Sequence, residues 1–219
     1  MSWLASSPVG IEKLLAGQLS RPSRLSAWLA ARLWNRRNAA LNEAALACLE
    51  LSPGDRVLEV GFGGGYLLGR MAGVVTQGSL AGVDISPAMV AACNRRLQPL
   101  VQQGRLDLQC ASAGSLPYPG GHFTRLVSVN SIFYWPDAAQ ALGEAWRVLE
   151  TRGRLVLCFT LKASLEKRGF ARHVHLYETE EVQRLMARCG FQDIQAQQAA
   201  DRHREFACLG AQKKARLSG

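Results

Sequence analysis

An acidic residue followed by closely spaced glycines is the feature of this chain best suited to binding a ligand. Residues 59–65 read Glu-Val-Gly-Phe-Gly-Gly-Gly and begin within an apolar run, Arg56–Val60. Glycines between a strand and a helix let the backbone approach a ligand and direct N–H groups at it. Asp84 ends the next apolar run, where its carboxylate can accept hydrogen bonds from both hydroxyls of a ribose. The spacing therefore indicates a nucleoside-containing ligand.

Two other glycine-rich signatures do not fit this loop. A dinucleotide-binding Gly-x-Gly-x-x-Gly fingerprint would need a glycine at position 66, where this chain has Tyr66. A phosphate-binding P-loop would need Gly-Lys followed by Ser or Thr, and the sequence contains no such tripeptide. Asp84 has a simpler interpretation as the cap of the next helix, but its distance from the glycine loop favours the ligand.

The loop and Asp84 require a sheet that brings the ends of successive strands together. Strand-like and helix-like runs alternate along the chain. Expected strands are Arg56–Val60, Ser79–Asp84, Leu106–Cys110, Arg125–Val129, Arg154–Phe159, Gln192–Gln197 and Glu205–Ala211, and expected helices are Tyr66–Val74, Ser86–Pro99, Asp137–Leu149 and Thr179–Cys189. This order predicts an α/β fold with a single doubly wound, mostly parallel, seven-stranded sheet, whose ligands bind at the carboxyl ends of the strands.

Three segments are expected along the chain. Apolar residues such as Trp28, Leu33 and Leu41 recur at helical spacing and predict an N-terminal helical cap or lid over residues 1–50. Residues 51–212 form the sheet domain. Residues 213–219 are expected to be a basic flexible tail.

The net charge of +9 is carried by the two ends of the chain. Residues 1–40 have a net charge of +5 and residues 202–219 of +4, while the interior has 15 basic and 15 acidic residues. A neutral interior argues against a nucleic-acid partner. The basic N-terminal helix leaves two alternatives open, a lid over the site or peripheral contact with a membrane surface.

Composition argues against metal binding and secretion. The six cysteines include no Cys-x-x-Cys pair, and several lie in apolar runs, which is typical of free thiols in a reducing compartment. No metal site is expected. No stretch has the layout of a signal peptide or approaches about 18 uninterrupted apolar residues, so we expect a cytoplasmic protein.

Several further stretches carry a resemblance to a known family. They are Gly-Val-Asp-Ile-Ser at 82–86, Leu-Pro-Tyr-Pro at 116–119, the stretch from 128 to 137, that from 149 to 157 and, more weakly, that from 176 to 191. In order and spacing, residues 50–212 resemble the class I S-adenosylmethionine-dependent methyltransferases, within the group that includes ubiquinone/menaquinone C-methyltransferases. The resemblance implies a Rossmann-like methyltransferase fold, S-adenosylmethionine as methyl donor and S-adenosylhomocysteine as product.

The resemblance also implies a role for each matching residue. Glu59 orients the amino group of the cofactor, Gly61 and Gly63 face its methionine part, and Asp84 holds its ribose. The other implied contacts with the cofactor or its surroundings are Phe62, Gly65, Ile85, Met89, Ser112, Ala113, Asn130 and Ser131. Ser112 stands where the family usually has aspartate, so its hydrogen bond to the adenine lacks a charge and is expected to be weaker.

The catalytic base is left open among three residues. His173 and His175 precede the last helix, in a segment that often covers the substrate pocket in similar enzymes, and imidazole titrates near neutral pH. The alternative is that these rings point at solvent. Tyr134, like Trp135, either lines the substrate pocket or packs under the following helix.

The expected function is methyl transfer to a small-molecule acceptor by in-line displacement, without a metal. One alternative is an enzyme that methylates a quinone or lipid head group at a membrane surface. Another is a protein that binds S-adenosylmethionine without catalysis. A nucleic-acid methyltransferase is disfavoured, because residues 130–133 read Asn-Ser-Ile-Phe and not Asn-Pro-Pro-Tyr.

Overall fold

The computed structural model describes residues 38–167 and 174–214. Its elements in chain order are α1 (Ala39–Leu49), β1 (Arg56–Val60), α2 (Tyr66–Met71), β2 (Ser79–Asp84), α3 (Pro87–Arg96), α4 (Gln98–Gln102), β3 (Leu106–Cys110), β4 (Phe123–Val129), a 3₁₀ helix (Ile132–Tyr134), α5 (Ala138–Val148), β5 (Leu149–Thr160), α6 (Lys162–Glu166), α7 (Thr179–Arg188), β6 (Phe191–Ala200) and β7 (Glu205–Lys213). Within these residues, no helix has the length and apolar character needed to cross a membrane.

The strands form one seven-stranded sheet in the order β3-β2-β1-β4-β5-β7-β6. Strands β1 to β5 pair in parallel, and β7 pairs antiparallel with both β5 and β6. From β1 the chain adds β2 and β3 on one side of the sheet and then β4 and β5 on the other. The winding therefore reverses between β1 and β4. The predicted α/β, doubly wound, mostly parallel sheet is confirmed.

Local sequence explains where the helices beside the site begin. The Ser86 hydroxyl accepts a hydrogen bond from the Met89 N–H at 3.4 Å, and Pro87 occupies the first turn of α3. The Asp137 carboxylate accepts from the Gln140 N–H at 2.9 Å and begins α5 in the same way. Both caps follow strands of the parallel sheet and fix how the chain leaves its carboxyl edge.

Apolar side chains cover both faces of the sheet. Helices α5 and α7 bury one face, and α1 and α2 bury the other. In α1, Leu41, Ala45 and Leu49 are fully buried against the strands. Helix α1 therefore packs directly on the sheet. The predicted division at residue 50 stays a prediction, since residues 1–37 lie outside the described residues.

The structure differs from the predicted elements at several points. Lys213 is the last residue of β7, and its Nζ donates to the carbonyl oxygens of Trp146 and Leu149 at 2.7 and 2.6 Å. Lys214 pairs with Asp193 at 2.8 Å. Lys213 and Lys214 therefore belong to the fold and not to the predicted tail, whose remaining residues, 215–219, lie outside the described residues. The short helices α4 and α6 and the 3₁₀ helix were not predicted.

The expectation of six free thiols is also corrected. Cys158 of β5 and Cys208 of β7 are directly opposed, with Cα atoms 4.2 Å apart, and form a disulfide. The physical reason is the antiparallel register of β5 and β7, which brings together residues 50 positions apart in the sequence. Cys48, Cys93, Cys110 and Cys189 are free thiols.

Candidate functional site

A cavity of about 320 Å³ lies at the carboxyl ends of β1, β2, β3 and β4. Its size falls in the range of small-molecule sites, and its position is where a doubly wound sheet binds ligands. Its lining, mostly apolar, comes from the ends of these strands, the glycine loop, α1 and the segment around the 3₁₀ helix. The lining residues are Asn38, Asn42, Glu59, Val60, Gly61, Phe62, Gly63, Gly64, Tyr66, Leu67, Val83, Asp84, Ile85, Ser86, Met89, Ala111, Ser112, Ala113, Val129, Asn130, Ser131, Tyr134, Trp135 and Pro136.

The glycine loop crosses the end of β4 at very short range. Gly61 has φ +78°, and a Cβ at this position would lie 2.5 Å from the Cβ of Ser131. The Gly61 N–H donates to the Val83 carbonyl at 2.8 Å, which ties the loop to β2. Only glycine satisfies both the backbone angle and the contact.

Asp84 connects the glycine loop to the start of α3. Its Oδ2 accepts from the Gly63 N–H at 2.8 Å, and its Oδ1 accepts from the Ser86 N–H at 2.9 Å. Burial raises the pKa of Asp84, and these two hydrogen bonds oppose that shift. Asp84 therefore does bind the backbone at the start of the next helix, as the capping interpretation predicts. The same carboxylate also lines the cavity, and its remaining lone pairs can accept from a ligand.

Glu59 places a buried acceptor without a partner at the cavity. Its side chain is 3% exposed, and Oε2 makes no hydrogen bond to the described residues. Burial raises its pKa to about 8, and the negative charge of Asp84 adds to the rise, while a hydrogen bond from the Leu68 backbone opposes it. A buried carboxyl without a partner is suited to a cationic, hydrogen-bond-donating group such as an ammonium, which would stabilise its ionised form.

The side chains predicted to surround the adenine also reach the cavity. Ile85 is 69% exposed at its mouth, while Met89 is buried. The Ser112 hydroxyl accepts from the Gly114 N–H at 3.2 Å, and Ala113 lies between these two residues on the cavity wall. Ser112 can still donate through its own proton.

Asn130 and Ser131 are held tightly at the end of β4. Asn130 has φ +54°, its Nδ2 donates to Asn38 Oδ1 at 3.0 Å, and its Oδ1 accepts from the Thr160 N–H at 2.8 Å. The Ser131 hydroxyl contacts Ser128 Oγ at 2.5 Å and donates to the Val60 carbonyl at 3.1 Å. Because these polar groups already have protein partners, their first role is to fix the wall beside the glycine loop.

Three predicted site residues are not placed at the cavity. Gly65 does not line it: with φ +68°, this glycine begins α2, and a Cβ there would meet the Cys93 sulfur, so it serves close packing. His175 is exposed, forms a 2.9 Å contact with Glu181, and is absent from the lining. His173 lies outside the described residues. The assignment of either histidine as a base therefore stays a prediction.

Asn38 and Asn42 line the cavity but were missed by the sequence interpretation. Asn38 is the N-cap residue of α1 and Asn42 follows it by four positions, so both lie on the same side of that helix. The apolar spacing of residues 25–48 predicts only which side of this segment is buried. Two asparagines at helical spacing among those apolar residues were the available signal. Gly64 and Leu67 were also missed, whereas Phe62 lines the cavity as predicted.

The described residues offer no metal site, since no group of three or more histidine, cysteine or acidic side chains is close enough to hold an ion.

Residues 58–157 match the family model of a methyltransferase domain. This region is thus similar to a methyltransferase domain, and the match covers just under half of the chain. The matched residues contain Glu59, the glycine loop, Asp84 and Ser131.

Individual methyltransferases resemble part of the chain. It is 31% identical over 120 residues to the uncharacterised methyltransferase YdaC of Bacillus subtilis (strain 168), covering 55% of this chain and 64% of YdaC. It is 31% identical over 136 residues to the ubiquinone/menaquinone biosynthesis C-methyltransferase UbiE of Geobacter sulfurreducens, covering 62% of this chain and 50% of UbiE. The chain thus spans less than two thirds of the length of these relatives.

A solved structure shows the same methyltransferase fold. The putative methyltransferase in complex with the Haloferax volcanii Trm112 activator superposes with a TM-score of 0.75 and 16% identity, covering 85% of this chain and 94% of that chain. At this identity the likeness supports the fold alone.

The structure makes a testable distinction between two of the residues predicted to be catalytic. We expect His175→Ala to keep turnover within about twofold of wild type, because the ring is exposed and paired outside the cavity. We expect Tyr134→Phe to raise the KM for the acceptor severalfold, because Tyr134 lines the cavity. Steady-state kinetics from pH 6 to pH 9 checks both. A large loss in kcat for His175→Ala alone would reverse this assignment.

Proposed function

We propose that this chain transfers a methyl group from S-adenosylmethionine to a small-molecule acceptor. The observation that carries the proposal is the pairing, in one cavity, of an unpartnered buried Glu59 oxygen with the Asp84 carboxylate at the end of the next strand. These two groups match an ammonium and a ribose in the same ligand. Because this chain spans only part of the length of its relatives, both its activity and its acceptor are proposals.

The residues present fit the cofactor. Glu59 would hold its amino group, the glycine loop its methionine part, and Asp84 its ribose. Ile85, Met89, Ser112 and Ala113 would surround the adenine. When bound, S-adenosylmethionine supplies an electrophilic methyl group on a sulfonium.

The protein's own contribution is positioning and exclusion of water. Asn130 and Ser131 hold the end of β4 rigid, so an acceptor against this wall would keep a fixed direction. Tyr134 and Trp135 add an aromatic wall on the same side. Burial raises the pKa of Tyr134 to about 12, so its hydroxyl remains protonated at neutral pH and serves as a hydrogen-bond donor. Among the described lining residues, no histidine, lysine or arginine is present to act as a base.

The acceptor class we favour is a small aromatic or quinol-type molecule. The mostly apolar lining and the aromatic wall support it, as does the name of the relative UbiE, a ubiquinone/menaquinone C-methyltransferase. Contact with a membrane surface would depend on the basic segment 1–37, which lies outside the described residues. The cytoplasm remains our proposed location, although the Cys158–Cys208 disulfide removes the free-thiol part of the argument for it.

Two measurements on the full 219-residue chain test the proposal. Titration calorimetry should show binding of S-adenosylmethionine and S-adenosylhomocysteine, and transfer of a labelled methyl group should follow with at least one member of a panel of phenols, quinols and amines. Binding without turnover of any acceptor would favour the non-catalytic alternative. Absence of binding would exclude the proposed function.

A further inference from the structure

The side-chain amides of Asn38 and Asn130 are oriented by a hydrogen bond that can have only one direction. The Thr160 N–H donates to Asn130 Oδ1 at 2.8 Å, and a backbone N–H can donate but cannot accept. The Asn130 oxygen therefore faces Thr160 and its nitrogen faces Asn38, where Nδ2 donates to Asn38 Oδ1 at 3.0 Å. The orientation of both amides thus follows from one backbone group at the end of β5.

The hydroxyl of Thr160 enforces the same direction. Thr160 is fully buried, and its Oγ1 donates to Asn130 Oδ1 at 3.1 Å. Arg204 Nη1 donates to that hydroxyl oxygen at 3.3 Å, which leaves the hydroxyl proton for Asn130. A reversed Asn130 amide would lose both hydrogen bonds and would place its N–H groups against the two donors of Thr160.

Asn38 is left with a hydrogen-bond donor at the cavity. Its Oδ1 is occupied by Asn130, its Nδ2 makes no hydrogen bond to the described residues, and the residue lines the cavity. An amide nitrogen carries two N–H donors and no acceptor. Its partner Asn130 belongs to the wall at the end of β4 against which we place the methyl acceptor, whereas the proposed ribose and adenine contacts follow β2 and β3. Asn38 therefore adjoins the acceptor's side of the cavity.

We infer that Asn38 Nδ2 donates a hydrogen bond to an oxygen of the methyl acceptor, and that it selects acceptors with a carbonyl, ether or phenolate oxygen at this point over those with an amine there. The inference rests on the proposed function and adds the polarity of the acceptor to it. Asn130 and Thr160 are positioning residues, because they determine which end of the Asn38 amide faces the acceptor. A phenol with a second oxygen on its ring meets this requirement.

Reversing the Asn38 amide tests the inference. In Asn130→Asp the carboxylate still accepts from Thr160 but cannot donate to Asn38, so the Asn38 amide should turn its nitrogen to the carboxylate and its oxygen to the cavity. Asn38→Asp places an acceptor at the cavity directly. The probes are guaiacol, whose methoxy oxygen only accepts, and ortho-aminophenol, whose amine donates from the same ring position. Calorimetry on the full chain with S-adenosylhomocysteine bound compares their affinities.

We expect the wild type to bind guaiacol about fivefold or more tightly than ortho-aminophenol, and both aspartate variants to reverse this preference. A general loss of structure would weaken both probes together and would not exchange their order. Asn94→Asp, the same substitution outside the cavity on α3, is the matched control and should keep the wild-type preference. Thermal melting confirms that each variant is folded.

The outcomes separate the inference from the function on which it rests. Reversal in both aspartate variants supports the inference, while reversal in Asn38→Asp alone would keep the donor and overturn the positioning role of Asn130. An unchanged preference, an equal loss of both probes, or a wild type that binds S-adenosylhomocysteine but does not prefer guaiacol would overturn the inference alone. Loss of S-adenosylhomocysteine affinity without a change in preference would overturn it too, by moving the Asn38 donor to the cofactor. A wild-type chain that does not bind S-adenosylhomocysteine would overturn the proposed function and this inference together.

Discussion

Asp84→Ala is expected to weaken binding of both S-adenosylmethionine and S-adenosylhomocysteine at least tenfold. The substitution removes the acceptor for the ribose hydroxyls, and hydrogen bonds to a charged group contribute about 1.5–3 kcal/mol each. It also frees the Gly63 N–H, which in the wild type donates to Asp84 Oδ2 at 2.8 Å, so the glycine loop keeps only the hydrogen bond from the Gly61 N–H to the Val83 carbonyl as a tie to β2. Calorimetry with each ligand measures the effect.

Asp107→Ala is the matched control for this prediction. Asp107 lies on β3, next to β2 in the sheet, and accepts hydrogen bonds from Tyr118 and Gln109 on the protein surface. Asp107→Ala removes the same charge outside the cavity, so it should leave the affinities for S-adenosylmethionine and S-adenosylhomocysteine unchanged. Wild-type affinity in Asp84→Ala would contradict the assignment of the site.

Glu59→Gln is expected to abolish the pH dependence that Glu59 imposes on stability. The folded protein holds a proton on Glu59 up to about pH 8, whereas the unfolded chain releases it near 4.5. The folded state thus binds more protons between these values, so stability is greatest below them and falls as pH rises through about 8. The cost at pH 9 is on the order of a few kcal/mol. The ligand-free glutamine variant should therefore melt several °C higher than wild type at pH 9, with little difference at pH 5.

Glu144→Gln provides a control of opposite sign. The hydrogen bond with Arg147 holds the pKa of Glu144 below its usual range, so its contribution is present at neutral and alkaline pH and is lost in acid. Its replacement should lower the melting temperature at pH 9, where Glu59→Gln raises it. A melting temperature of Glu59→Gln at or below that of wild type at pH 9 would contradict the buried, protonated state.

The same glutamine variant should bind the cofactor poorly. Below about pH 8, wild-type Glu59 must lose its proton to pair with an ammonium, so affinity for S-adenosylhomocysteine should rise between pH 6 and pH 8. In Glu59→Gln we expect at least tenfold weaker binding without this rise. Calorimetry at the two pH values measures both effects.

Local chemistry explains which parts of the site were predictable. The glycine loop, Asp84 and Ser112 each follow a strand whose apolar run is visible in the sequence, and parallel strands end at a common edge. Their meeting in space therefore follows from strand order alone. The caps at Ser86 and Asp137 are local signals of the same kind.

The residues that were missed depend on contacts between distant parts of the chain. Asn42 reaches the cavity only because α1 lies on the face of the sheet beside the glycine loop, and no local pattern fixes that position. The pairing of Cys158 with Cys208 depends on the register of β5 with β7. Gly65 was misplaced for the opposite reason, because a local glycine motif does not reveal which glycines face the ligand and which face a helix.

The packing of α1 has a consequence for how the protein is made. Leu41, Ala45 and Leu49 bury themselves in a cluster that includes Val156, Cys208 and Phe206, from strands far along the chain. This face of the sheet cannot close until β7 has left the ribosome, so an apolar helix stays exposed through most of synthesis. Nascent chains stopped before residue 205 should therefore engage chaperones that bind apolar segments, and release them once β7 has paired with β5.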